Sequence, residues 1–262
     1  MYPVPLDRLN ALDLDELEQP ADVDYRALGL GPEDIPALVR IATDRRYDTV
    51  PLPLAWAPLH AWRALGALRA AEAAEPLTML FDSVGDDDWM LGDLPRVFGQ
   101  IGAPAIPIVA RYLTQPEHAV WSRIAAGEAL AEIGKVHPDV RDECVTILTD
   151  QLRHFETQDD ELNAFLVSDL LELRAVESAP VIEAAFAADR VDLSVCGDWE
   201  DVQVELGLLP ARLTPARRSF VWQFPQSERQ APTRHPARDR RAAEKRRRKL
   251  AKQSKRRNRR RR

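Results

Sequence analysis

Glu128-Ala129-Leu130-Ala131-Glu132-Ile133-Gly134 is the stretch from which the rest of the chain can be read. Leu130 and Ile133 fall on one face of a helix, three residues apart. Ile133 has counterparts elsewhere: Leu68 in Ala64-Leu65-Gly66-Ala67-Leu68, Ile101 in Val97-Phe98-Gly99-Gln100-Ile101, and Leu173 in Asp169-Leu170-Leu171-Glu172-Leu173. These four anchors are separated by 33, 32 and 40 residues. A period of that size is the mark of stacked repeats. Twelve residues before the first three anchors stand Trp56, Trp89 and Trp121, and the fourth copy has Glu161 there. A small residue sits two before the first three anchors (Gly66, Gly99, Ala131), and Pro76, Pro104, Pro138 and Pro180 follow the four anchors.

This pattern predicts one helical hairpin per repeat. Each anchor closes a first helix. Gly102 and Gly134 are placed to take the left-handed conformation that ends a helix. The proline then opens a second helix, where its missing N–H costs nothing. Second helices are expected over Pro76–Val84, Pro104–Leu113, Pro138–His154 and Pro180–Ala188. One hairpin cannot bury its apolar face alone, whereas stacked neighbours can. Pro32-Glu33-Asp34 opens a helix ahead of the repeats, with carboxylates at its positive end. Asp198 to Gly207 reads as a capping helix over the last hairpin, with Asp198 as N-cap and Gly207 as stop. The fold class is all-α: an α-solenoid of about four hairpins.

Charge divides the chain. Residues 1–210 carry 15 Lys+Arg against 39 Asp+Glu, a net of −24; residues 211–262 carry 21 against 3, a net of +18. The −6 of the whole chain describes neither part. The domains read as an acidic segment 1–28, the repeat body 29–209, a linker 210–237 rich in proline, and a basic tail 238–262. The tail holds 16 Lys+Arg and few apolar residues, so it is expected to be disordered when free. The most apolar run, Val50 to Leu59, is half the length of a membrane helix and holds Pro51, Pro53 and Pro58. Asp7, Asp13, Asp15, Glu16 and Glu18 stand in the first twenty positions, so no leader is expected. Only Cys144 and Cys196 occur, which excludes a disulfide framework and a cysteine-built zinc site. These features predict a cytoplasmic setting.

Leu65-Gly66-Ala67-Leu68 with Pro76-Leu77, and Glu128 to Gly134, resemble the HEAT-like repeats of phycobilisome lyases. More narrowly, Pro58-Leu59-His60-Ala61, Leu162 to Leu166, Ala187 to Asp192 and Gly197 to Val202 resemble an uncharacterised bacterial HEAT-like family, over roughly residues 29–207. The resemblance implies an armadillo-type fold. Members of that family often end in a small cysteine-rich zinc motif. This chain has no cysteine after Cys196, so no zinc-dependent role carries over. No lyase activity carries over either, because such repeats serve unrelated purposes.

The basic tail is the strongest functional feature. Lys245, Arg246, Arg247, Arg248, Lys249, Lys252, Lys255, Arg256, Arg257, Arg259, Arg260, Arg261 and Arg262 are the candidate polyanion-binding residues. At this density they neutralise phosphates and release counterions, without reading sequence. No aromatics are interleaved, so base stacking is not indicated. The alternatives to polyanion binding are a tail that folds back on the acidic body and a solubilising segment. Asp198, Trp199, Glu200 and Asp201 read as an acidic, aromatic-centred docking patch or, alternatively, as the start of the capping helix. Asp86-Asp87-Asp88 lacks the spacing of a calcium loop and fits a helix's first turn. The tryptophan row is either packing between repeats or a peptide-binding ladder.

His60, His118, His137, His154 and His235 form no close pair. No nucleophile–base arrangement and no phosphate-binding loop can be read. No metal or cofactor is expected. The reading is therefore a non-enzymatic adaptor: the body docks a protein partner, and the tail binds RNA, DNA or a ribonucleoprotein. The alternatives are a protein–protein scaffold whose tail is autoinhibitory, and an enzyme of lyase or helical-repeat DNA glycosylase type. The glycosylase needs a positive groove, and this body is acidic.

Overall fold

Each second helix begins in the same way. Three-residue 3₁₀ turns over Ala71–Ala73, Ala103–Ala105, Pro138–Val140 and Val176–Ser178 lead into α-helices. Pro104, Pro138 and Pro180 stand in the first positions of their turn or helix, where φ near −65° is already helical. The computed structural model describes Asp7, Leu9, residues 23–44, Arg46, residues 56–86 and residues 88–215, with backbone alone at 84–86 and 88–91. The chain divides into two units, Met1–Trp222 and Gln223–Arg262, and the described residues all lie in the first.

The helices are α1 (Ile35–Ala42), α2 (Ala57–Leu68), α3 (Ala74–Thr78), α4 (Asp88–Ile101), α5 (Ile106–Thr114), α6 (Val120–Val136), α7 (Arg141–Leu152), α8 (Asp160–Glu172), α9 (Ala179–Ala187), α10 (Leu193–Cys196) and α11 (Trp199–Glu205). No strand occurs among the described residues. None of their helices is long and apolar enough to cross a membrane. The first helices α2, α4, α6 and α8 lie against one another in chain order. The second helices α3, α5, α7 and α9 do the same, and α1 packs on α2.

Helix α6 is the centre of the packing, touching α4, α5, α7 and α8. Ile124, Ala125, Ala126, Ala129, Leu130 and Ile133 along it are all buried. Small residues let the first helices approach closely. A Cβ on Gly66 would stand 3.3 Å from Val97 Cα, and one on Gly99 would stand 3.2 Å from Glu132 Cβ. Under the helices Phe81 packs on Phe98 and on Tyr112, each 5.2 Å away between ring centres.

Three local expectations are corrected. Gly134 is not a left-handed stop: it lies inside α6, which runs to Val136. The helix ends where His137 precedes Pro138, a position that disfavours the helical conformation. Gly134 instead makes room for α8, since a Cβ there would stand 2.9 Å from Leu173 Cδ2. The helix expected over Pro76–Val84 is α only to Thr78 and tightens to 3₁₀ over Met79–Asp86. That segment packs on both α4 and α6, where Phe81 is fully buried. Gly102 takes a positive φ of 84°, but its ψ of −152° is extended and not left-handed helical. The other described helix ends at positive φ use Arg69, Arg174 and Asp189, at φ 55°, 51° and 56°, and Gly197 and Gly207, at 78° and 75°.

Candidate functional site

The thirteen tail residues Lys245 to Arg262, like the rest of the tail and residues 216–237, lie outside the described residues. The other sequence-nominated patch is described fully. Asp198 is the N-cap of α11, as its sequence predicts: its carboxylate accepts from the Glu200 and Asp201 amides at 3.1 Å. Asp201 closes the capping box by accepting from the Asp198 amide. Arg212 turns back onto this helix start. Its guanidinium donates to both Asp198 oxygens at 2.7 and 2.8 Å and pairs with Asp201 and Glu200. That guanidinium holds Asp198 down at a pKa of about 2. Glu200 accepts from the Leu213 and Thr214 amides, and Trp199 rests on Phe186. All four residues thus have partners within the chain. Asp88 begins α4, in keeping with the first-turn reading of the aspartate run; Asp87 and the side chains of Asp86 and Asp88 lie outside the described residues.

Trp56 is half-buried against the core, and Trp121 meets Phe165 edge-on at 5.5 Å with 38% of its surface exposed. The Trp89 side chain lies outside the described residues. His60 is buried, hydrogen-bonded at Nδ1 to the Tyr25 hydroxyl at 3.1 Å, and burial lowers its pKa to about 4. Beside it Arg63 and Asp93 form a buried ion pair at 2.5 Å, which Trp62 joins through its indole N–H. Burial pushes the thiols of Cys144 and Cys196 up to about 11 and about 12, so neither is an activated nucleophile. A cavity of about 480 Å³ is lined by Glu75, Met79, Asp82, Arg111, Tyr112 and His118. Inside it Tyr112 donates to Asp82 at 2.5 Å and stacks on His118. The described residues contain no metal-holding group of three or more ligands.

The most perturbed carboxyls lie in the seam between α6 and α8. Asp169 on α8 is 4% exposed, and its Oδ2 has no hydrogen-bond partner. It lies over Gly127, where a Cβ would come within 2.7 Å of Oδ2. Burial, reinforced by Glu128 and Glu172, holds its pKa well above the usual carboxylate range. Burial likewise raises Glu128 to about 8, with help from Glu172 and Glu132. One turn further along, Lys135 Nζ bridges Glu132 and Glu172 at 2.7 Å each. Strongly shifted groups concentrate at functional sites, although structural networks shift them too. Both acids stand inside stretches that sequence reading used only as period markers. For Glu128 the available signal was the neighbouring Gly127; Asp169 carries none in the sequence.

Comparison with known protein families, with curated proteins and with solved structures finds no match to this chain.

Proposed function

We propose that the chain is a non-enzymatic adaptor, an α-solenoid of about four HEAT-like hairpins. Its body docks a protein partner, and its basic tail, residues 238–262, binds RNA, DNA or a ribonucleoprotein. The observation that carries this reading is the charge split, −24 over residues 1–210 against +18 over residues 211–262. Tail cations at that density bind phosphate chains through counterion release. The acidic body repels the same polyanion, which leaves its surface for a different partner.

Links between side chains about one period apart support the solenoid reading. Arg111 pairs with Glu75 across 36 positions, Lys135 with Glu172 across 37, and Arg141 with Glu177 across 36. Helix ends are capped the same way. Arg26 donates to the Ala67 carbonyl, His137 Nε2 to Gly99, and Arg141 to Leu173 and Arg174. Each cap satisfies carbonyls that the helix itself leaves open.

The test is a salt titration of affinity for a labelled duplex, with the full chain and with a variant lacking residues 238–262. If eight phosphates are neutralised, the logarithm of affinity falls against that of salt with a slope of about −7. The shortened chain is expected to lose most of the affinity and the slope. Equal affinities for the two forms would sink the proposal.

A further inference from the structure

The cavity of about 480 Å³ lies between the second helices of two neighbouring hairpins. One wall comes from α3 and the 3₁₀ segment that follows it, the other from α5 and the loop into α6. Two cross-links join these walls. Arg111 on α5 donates through Nη2 to both oxygens of Glu75, at 2.6 and 2.5 Å. One position further on, the Tyr112 hydroxyl donates to Asp82 Oδ1 at 2.5 Å. Burial, with the bond to Asp82, pushes that hydroxyl above its ordinary pKa, so it stays a donor. His118 stacks on the Tyr112 ring and sets Nδ1 3.5 Å from the same Asp82 oxygen, while its Nε2 meets Gln115.

Each cross-link engages only part of a charged group. A guanidinium carries five N–H donors, and a carboxylate accepts at both oxygens. Glu75 takes the Nη2 donors, which leaves Nε and Nη1 of Arg111 without a partner among the described residues. Tyr112 and His118 converge on Oδ1 of Asp82, which leaves Oδ2 in the same condition. The Asp82 side chain is 54% exposed, so that oxygen is reached from solvent. Met79 stands between Glu75 and Asp82 in the sequence, lines the cavity and is 66% exposed. Ile108, half-buried on α5, lines it from the other wall.

We propose that this cavity binds a free amino acid with an apolar side chain. The ligand carboxylate accepts from Arg111, its ammonium donates to Asp82 Oδ2, and its side chain lies against Met79 and Ile108. The site goes beyond the adaptor reading, since neither the docked protein nor the tail enters it.

The chemistry favours a zwitterion. One open cation and one open anion in the same cavity match a ligand that carries both charges. A ligand with a cation alone meets the Arg111 guanidinium, and one with an anion alone meets Glu75 and Asp82. Glu75 and Tyr112 are positioning residues: they hold Arg111 and Asp82 in place before the ligand arrives, which lowers the ordering cost of binding. The volume falls within the range of about 300–1,000 Å³ usual for small-molecule sites, which set a few polar groups among apolar ones. A bound ligand bridges two hairpins.

The test is calorimetric titration of the full chain with L-leucine, L-methionine and L-phenylalanine. At least one is expected to bind. Its amide, which lacks the carboxylate, and its N-acetyl derivative, which lacks the ammonium, are each expected to bind about tenfold more weakly or worse. These two ligands leave the protein untouched, so folding does not enter the comparison. On the protein side, Asp82→Asn keeps an acceptor for Tyr112 but loses the charge, and Arg111→Gln loses the open donors. Both are expected to stay folded by circular dichroism and to weaken binding by about tenfold or more. Glu177→Gln, which alters the equivalent exposed pair with Arg141, is expected to change nothing. Binding of none of the three amino acids overturns the proposal. So do derivatives that bind as well as the parent amino acid, or affinity unchanged in both cavity variants.

Discussion

Burial penalises the charged form of any group, and Glu128 and His60 feel this with opposite sign. Glu128 rises from its ordinary 4.5 to about 8, so the folded protein holds a proton that the unfolded chain has given up. Its contribution is therefore fully present below about pH 4.5 and drains away as pH climbs towards 8. His60 falls from 6.5 to about 4, so its contribution is full above 6.5 and drains away as pH drops towards 4. Thermal melts of wild type, Glu128→Gln and His60→Gln across these windows check both signs. Wild type is expected to lose ground to Glu128→Gln as pH rises, and to His60→Gln as pH falls. Melting curves that stay parallel over the whole range would refute the assignment. Sequence alone showed His60 only as one of five histidines that form no close pair. It could not reveal Asp169, because an aspartate in an apolar run looks the same whether it faces solvent or a neighbouring helix.

Helices are where the sequence was most legible. The four anchors Leu68, Ile101, Ile133 and Leu173 each fall at or near the end of a helix, α2, α4, α6 and α8, and the first three carry a small residue two positions earlier. Capping at Asp198 was legible too, since an N-cap acts within three residues. What escaped depends on packing from outside the segment. Nothing at Met79 announces 3₁₀ geometry, and Arg69 and Arg174 adopt a conformation usually sought at glycines. Gly134 was misjudged for the complementary reason: its small size serves the approach of α8, not a turn. Close approach is testable at Gly99, whose missing Cβ would sit 3.3 Å from the Glu132 backbone. Gly99→Leu is expected to cost about 1–3 kcal/mol, from overpacking a contact whose other side is main chain. Asp198→Ala at the solvent-facing cap is expected to cost about 0.5–2 kcal/mol. Urea unfolding of the two variants checks the values; a Gly99→Leu protein as stable as wild type would show that α4 and α6 can separate freely.

Across the whole molecule, α6 has neighbours on four sides, whereas α11 is a seven-residue cap with one fully buried side chain, Val202. Local opening draws on the elements with the least buried surface. Hydrogen exchange is therefore expected to be slowest in the amides of α6 and α8 and fastest among those of α11 and the Arg212 turn. Exchange in α11 as slow as in α6 would contradict that ranking. The body's charge was legible as arithmetic, but the pairing within it was not. Arg63 with Asp93 and Arg212 with Asp198 are 30 and 14 residues apart in the sequence and meet only through the packing.

The caps that reach from one period to the next bear on the order in which the chain is made. Arg26 waits for Ala67, Gly99 for His137, and Leu173 already has Arg141 behind it; none of these bonds spans more than 41 residues. During synthesis each hairpin can therefore settle onto its predecessor as soon as it clears the ribosome, with no partner owed from the far end of the chain. An interrupted translation would leave a shorter body closed up to its last hairpin, with one uncovered face.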